Sequence, residues 1–222
     1  MYEEDYSIQR PLWDIEEVPD WSERIESYTD EQKETYANMV PKVKEFFGLL
    51  ESKNGWDVLV ENKNDRIKIE TKRSVRGNQI IRAEGPIDWP PIDVLRCMSY
   101  KPFQKEFDLN QDTAETLQKQ GVNLLVLHKK TQKKYVVAAR DFVVDLIFNR
   151  EADGTVYNVS SSTNCKYQVP VTKGVVRADT AIGGNMFRVD PNDPNKCVMT
   201  IVNEIDLKGS IPDFVLRTAF KD

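Results

Sequence analysis

The sequence predicts an α+β fold in which a large antiparallel sheet curves round a helix. Three observations predict it. An amphipathic helical stripe opens the body of the chain. Short alternating segments separated by turn residues then dominate from Trp56 onward. A last helical segment follows Pro212. One layer of strands must bury its apolar face against helices, and a two-layer arrangement does that.

Residues 1–28 mix acids with Trp13, Trp21, Pro11 and Pro19 and show no period. They read as an acidic arm, poorly ordered or loosely docked, ahead of a domain over 29–222. Thr29 or Asp30 can cap a helix. Tyr36, Met39, Val40, Val43, Phe46, Phe47 and Leu50 follow at helical spacing, and Pro41 predicts a kink or two abutting helices. Strands are expected at 56–61, 66–72 and 80–85, with turns at 62–65 and 75–78. Pro90-Pro91 opens a helix with Ile92, Leu95 and Met98 on one face, and a further helix is expected near 111–119. Strands return at 123–130, 135–139, 142–150, 155–163, 174–181, 186–190 and 197–207. Asp153-Gly154 and Gly183-Gly184-Asn185 read as hairpin turns.

Composition narrows the function classes. The 222 residues are 40% hydrophobic and 30% charged, ordinary for a globular protein with one large domain. No apolar run approaches the roughly 18 residues of a membrane-spanning helix. The acidic N-terminus lacks the apolar core of a secretory signal. The net charge of −5 hides an asymmetry. Residues 1–31 hold eleven acids and two arginines, a net of −9, so the remainder carries +4. A body this weakly basic argues against nucleic-acid binding. Three scattered cysteines, Cys97, Cys165 and Cys197, fit reduced thiols in a cytoplasmic protein.

Candidate chemistry is sparse. The one histidine, His128, lies in the alternating run Leu124-Leu125-Val126-Leu127-His128. Leu125 and Leu127 share one face there, and Val126 and His128 the other. No nucleophile elbow, phosphate-binding loop or zinc-ligand spacing occurs. Asp141 and Asp145 are a carboxylate pair, in a chain rich in acids. The expectation is a protein that is not an enzyme and needs no cofactor or metal.

Three segments carry more. Arg140-Asp141-Phe142-Val143, Lys173-Gly174-Val175-Val176-Arg177-Ala178 and Asp206-Leu207-Lys208-Gly209-Ser210-Ile211-Pro212 occur in this order on strand-like segments. Together they resemble the START (steroidogenic acute regulatory-related lipid transfer) family, over about residues 30–222. The resemblance implies a helix-grip fold, a curved sheet wrapped round a C-terminal helix with a lipid tunnel between them. It implies lipid binding and transfer without catalysis, in a cytoplasmic protein that meets membranes transiently. The C-terminal segment from about Ile211 is shorter than the family's usual lid helix.

The resemblance also points to ligand contacts. Sterol-binding members bury an acid before the Arg-Asp motif and a base after it; ungapped counting puts Leu127 and Leu146 at those positions. Phosphatidylcholine- and ceramide-binding members place a basic residue and an acid four apart on the helix after the first strands, where Tyr100 and Gln104 stand here. The expected ligand is therefore a glycerophospholipid. Asn158, Ser160 and Ser162 are further candidates, although the pattern does not say which face of their strand is interior. Met186, Met199, Ile201 and Phe214 are candidate apolar lining. Lys129, Lys130, Lys133, Lys134 and Tyr135 form the densest basic cluster, expected as a loop that docks on an anionic membrane. The acidic arm is suited to recruiting a protein partner.

Overall fold

The computed structural model describes residues 28–99, 108, 110–119, 123–133, 137–162 and 169–209. Residues 1–27 of the acidic arm, Tyr100, Gln104, Lys134, Tyr135, Cys165, Phe214 and the expected C-terminal helix lie outside the described residues.

Helix α1, Asp30–Glu51, runs unbroken through Pro41, whose ring sits on the exposed side. The alternative of two abutting helices is excluded, since the helix is continuous across Pro41. Its start is a capping box: Gln32 N–H donates to Thr29 Oγ1 at 3.3 Å, and Gln32 Oε1 accepts from Thr29 N–H at 2.8 Å. Its last turn has no basic residue of its own. Arg82 supplies the charge from the sheet, donating to the carbonyls of Leu49, Leu50 and Ser52 while bonding Glu70 and stacking 4.1 Å over Trp56.

Among the described residues, ten strands form one sheet: β1 Asp57–Asn62, β2 Ile67–Arg73, β3 Gln79–Ile87, β4 Gln111–Lys119, β5 Leu124–Thr131, β6 Ala139–Arg150, β7 Val156–Ser162, β8 Val175–Arg177, β9 Asp179–Asp190 and β10 Asp193–Asp206. Helix α2, Pro91–Ser99, comes between β3 and β4. The order is β1-β2-β3-β10-β9-β7-β6-β5-β4, with β8 parallel to β6. The edges β1 and β4 do not meet, so this curved sheet stays open.

Three expectations fail here. Residues 111–119 are strand β4, not a helix. Gln111, Ala114, Glu115, Leu117, Gln118 and Lys119 all suit a helix, but the segment lies against β5 and takes backbone bonds from it, and pairing overrides weak propensity. The expected strands 174–181 and 186–190 are instead the short β8 and the long β9. Gly183-Gly184 is not a turn but the middle of β9. A methyl group on Gly184 would stand 2.5 Å from a ring carbon of Phe46. Glycine is there so that α1 can seat Phe46 directly on the strand backbone.

The sheet separates two apolar clusters by strict alternation. Met39 and Phe46 of α1 pack with Leu124, Ile147, Tyr157, Val159, Ile182, Met186 and Val202 on one face. The neighbouring positions Leu125, Phe148, Phe187 and Cys197 pack with Val94 and Leu95 of α2 on the other.

The three sequence motifs meet in space. The Arg140 guanidinium donates to the carbonyls of Ala138, Leu207 (3.2 Å) and Lys208 (3.0 Å). Each of these partners is a backbone carbonyl. Asp141 binds Arg177 in a fork of 2.9 and 2.7 Å and also meets His128 at 3.1 Å. Gly209, at φ +70°, lets the chain turn close beside Arg140. The motifs are thus a latch that ties β6, β8 and the segment after β10 together.

Candidate functional site

A cavity of about 400 Å³ opens on the α2 face of the sheet. Its walls come from five neighbouring strands, β4, β5, β6, β7 and β9, and from β10. Leu125 and Leu127 of β5 stand in register with Leu146 and Val144 of β6, and all four line it with Phe142 and Phe148. That stacking of apolar cross-strand pairs makes one wall almost continuously hydrocarbon. The opposite wall is more polar. Asn185 Nδ2 donates to Asn158 Oδ1 at 2.9 Å, and Ser160 Oγ donates to the Gly183 carbonyl at 3.2 Å. Gly183 keeps this wall open: a methyl group there would press to 2.8 Å from Ser160 Oγ and 3.1 Å from Asn203 Oδ1. A few bonded polar groups in an otherwise apolar cavity are the usual make-up of a site for a small, mainly apolar ligand.

A larger cleft, about 630 Å³, lies by the end of α1. Its walls include the paired charges Glu70 with Lys68 and Arg82, and Glu84 with Arg188. These groups satisfy one another and hold the helix end, so the cleft is a seam between paired side chains. The smaller cavity is the better candidate for a ligand.

Five of the sequence candidates, Leu127, Leu146, Asn158, Ser160 and Ile201, come together in the cavity wall. Met199 packs in the same apolar cluster as Leu127 and Leu146. Ser162 is spent elsewhere, its hydroxyl accepting from Thr180 N–H at 2.7 Å. Met186 faces α1 on the far side of the sheet. Tyr100, Gln104 and Phe214 lie outside the described residues.

The basic cluster divides. Lys129 and Lys130 belong to strand β5 and not to a loop. Lys130 reaches Asp112 at 3.5 Å, and Lys133 is exposed beyond the strand. Lys129 instead lines the cavity, beside Asp108. Burial pulls its ammonium pKa down, and Asp108 pulls it partly back. The alternation that pairs Leu125 with Leu127 extends to residue 129, so the sequence did contain the signal; the neighbouring lysines masked it. Asp108 had no such signal.

Asp141 and Asp145 do not line the cavity. Burial pushes the Asp141 carboxyl up, but the hydrogen bonds from Arg177 and His128 outweigh it and hold the group below the usual carboxylate range. His128 is thereby a partner within the latch. Among the described residues, no cluster of His, Cys, Asp and Glu could hold a metal ion, and no helix is long and apolar enough to cross a membrane.

The fold and site define a class: an α+β domain whose open antiparallel sheet carries a helix on one face and an apolar cavity on the other. The START domain family model matches residues 44–222, and the chain belongs to that family. It is 26% identical over 172 residues to the mitochondrial steroidogenic acute regulatory protein of Danio rerio, covering 76% of this chain and 59% of that protein. It is 26% identical over 174 residues to StAR-related lipid transfer protein 5 of Mus musculus, covering 75% of this chain and 79% of the relative. The solved structure of human StAR-related lipid transfer protein 5 superposes with a TM-score of 0.77 at 21% identity, over 86% of this chain and 90% of that one. That likeness supports the same fold.

Proposed function

We propose that this protein binds a lipid in the cavity and carries it between membranes, without catalysing a reaction, and that the lipid is a glycerophospholipid such as phosphatidylcholine. The observation that carries the reading is the cavity itself, with its wall of Leu125, Leu127, Phe142, Val144, Leu146 and Phe148. Each 100 Å² of lipid hydrocarbon removed from water there is worth about 2.5 kcal/mol. The family relationship supports lipid as the occupant. Leu127 and Leu146 argue against a sterol held by a charge pair, because both positions are apolar.

The membrane approach is assigned to Lys130 and Lys133, together with Lys134 and Tyr135 outside the described residues. Reversing the three lysines to glutamate should slow transfer to anionic vesicles while leaving bound lipid in place. The reading is tested by native mass spectrometry of protein incubated with mixed liposomes, followed by a donor-to-acceptor vesicle assay. Uptake of a phospholipid with transfer supports it. Uptake of cholesterol or ceramide alone replaces the ligand. Uptake without transfer makes the protein a lipid sensor or tether, and the acidic arm over 1–28 then becomes the first place to seek a protein partner. A chain that takes up nothing ends the proposal.

A further inference from the structure

Two opposite charges, Lys129 and Asp108, stand in the wall of the apolar cavity, where Asp108 favours the charged form of Lys129 without bonding it directly. Lys129 lines it from β5, in register between Ala114 of β4 and Phe142 of β6. Asp108 lines it from the residues before β4, its Oδ1 accepting from Asn110 N–H at 3.2 Å. The two do not form an ion pair. The backbone of Lys129 is paired within the sheet, but its ammonium makes no hydrogen bond or ion pair among the described residues. A half-buried ammonium there has lost part of its hydration without a bonded partner, which is costly for a group with no structural duty. Every other strand position on this wall of β5 and β6 is apolar. A lysine that merely belonged on a surface would have turned to water at the edge of the sheet, as Lys133 does.

We propose that Lys129 holds the phosphate of a zwitterionic phospholipid head group and that Asp108 faces the head group's ammonium. The proposal rests on the lipid-carrier reading above and deepens it by naming the residues that choose the head group. A separated cation and anion complement a head group that is itself a separated anion and cation. A lipid with a phosphate alone would satisfy Lys129 but leave Asp108 facing a like charge. A diacylglycerol or a sterol would leave both charges unmatched in the wall. A phosphate oxygen accepting from an ammonium is a charge-assisted bond, stronger than a neutral one. Losing it should lower affinity by about tenfold or more.

The test is competitive uptake by the full chain from vesicles containing equal amounts of phosphatidylcholine, phosphatidic acid, diacylglycerol and cholesterol, with bound lipid read by mass spectrometry. The unmodified chain should take phosphatidylcholine at least about tenfold over diacylglycerol. Lys129→Met should lose that preference yet keep taking diacylglycerol, and Lys129→Arg should retain it. Asp108→Asn should shift uptake towards phosphatidic acid, an independent readout should Lys129→Met fold poorly. Phosphatidylcholine uptake unchanged in both Lys129→Met and Asp108→Asn overturns the head-group assignment and leaves the carrier reading standing. So does an unmodified chain that prefers diacylglycerol or cholesterol. If the unmodified chain takes up none of the four, both readings fail together.

Discussion

Substituting Gly184 with alanine tests how α1 is docked. Gly184 sits in the middle of β9, and its missing side chain would point at Phe46, which is fully buried. The added methyl would stand 2.5 and 2.7 Å from two Phe46 ring carbons and 3.0 Å from the Asn158 carbonyl oxygen. Phe46 cannot swing aside freely, because Phe47 meets its edge at 5.9 Å and Met39, Tyr157 and Val159 belong to the same packed cluster. Overpacking of this kind costs about 1–3 kcal/mol, and three contacts of 3.0 Å or less put it in the upper half of that range. For a domain of this size about 2–3 kcal/mol corresponds to a Tm lowered by roughly 4–12 °C. The sharper readout is a double-mutant cycle, with urea unfolding as the assay. Phe46→Ala alone should cost about 3–5 kcal/mol. In that background Gly184→Ala should be close to neutral, since only the Asn158 contact remains. A coupling of about 2–3 kcal/mol is then expected. An equal cost for Gly184→Ala with and without Phe46 would refute the claim that the glycine exists to seat this ring.

Other outcomes follow from buried charges and thiols. Glu204 is fully buried and accepts from Arg76 at 2.7 Å, Ser74 at 2.6 Å and Asn78 at 3.2 Å, so Arg76→Ala should destabilise by about 2–4 kcal/mol; Glu204→Gln added to it should recover part of the urea midpoint. Asp141 has its pKa lowered on folding, so its stabilisation is complete above the unfolded value of about 4 and is lost as pH falls through the lower folded value. Asp141→Asn should therefore cost about 3 kcal/mol near pH 7 and flatten the loss of stability in acid, read as urea midpoints from pH 7 down to pH 2. Burial raises the Cys197 thiol to about 11, while Cys97 is exposed. Brief iodoacetamide treatment at pH 8 followed by peptide mapping should find Cys97 alkylated and Cys197 spared, and equal labelling would contradict the packing of the α2 face.

The elements most legible in the sequence were those where local pattern and tertiary contact agree. The α1 stripe, the Pro91 start of α2 and the first three strands fall where period and turn residues put them. Where the two conflict, contact wins. The helix-forming composition of 111–119 lost to pairing with β5, and the glycine pair at 183–184 marks close packing where a turn was read. The cavity was half legible. Alternation fixed the faces of β5, but the face of β7 became decidable only once Tyr157 and Val159 were seen packed with α1, which turns Asn158 and Ser160 to the cavity. Lys129 looks like part of a solvated loop because of its three lysine neighbours, Lys130, Lys133 and Lys134, and strand parity outweighs that company.

The latch and the cavity divide the labour of the sheet by its two faces and its rim. Arg140, Asp141 and Arg177 spend their charges on backbone carbonyls and on one another, joining strands that are far apart in sequence. Substituting them disturbs β6 and β8 together, so such positions are bound to the scaffold. The cavity residues 125, 127 and 129 project from the same β5 that the scaffold holds, yet each touches ligand space on one side only. A change from leucine to a charged residue at 127, or from lysine to methionine at 129, alters what the cavity can hold without asking the strand to pair differently. On the proposed carrier reading, single substitutions at these alternate positions would change the lipid that the cavity accepts, whereas Arg140, Asp141 and Arg177 hold the strands on which those positions stand.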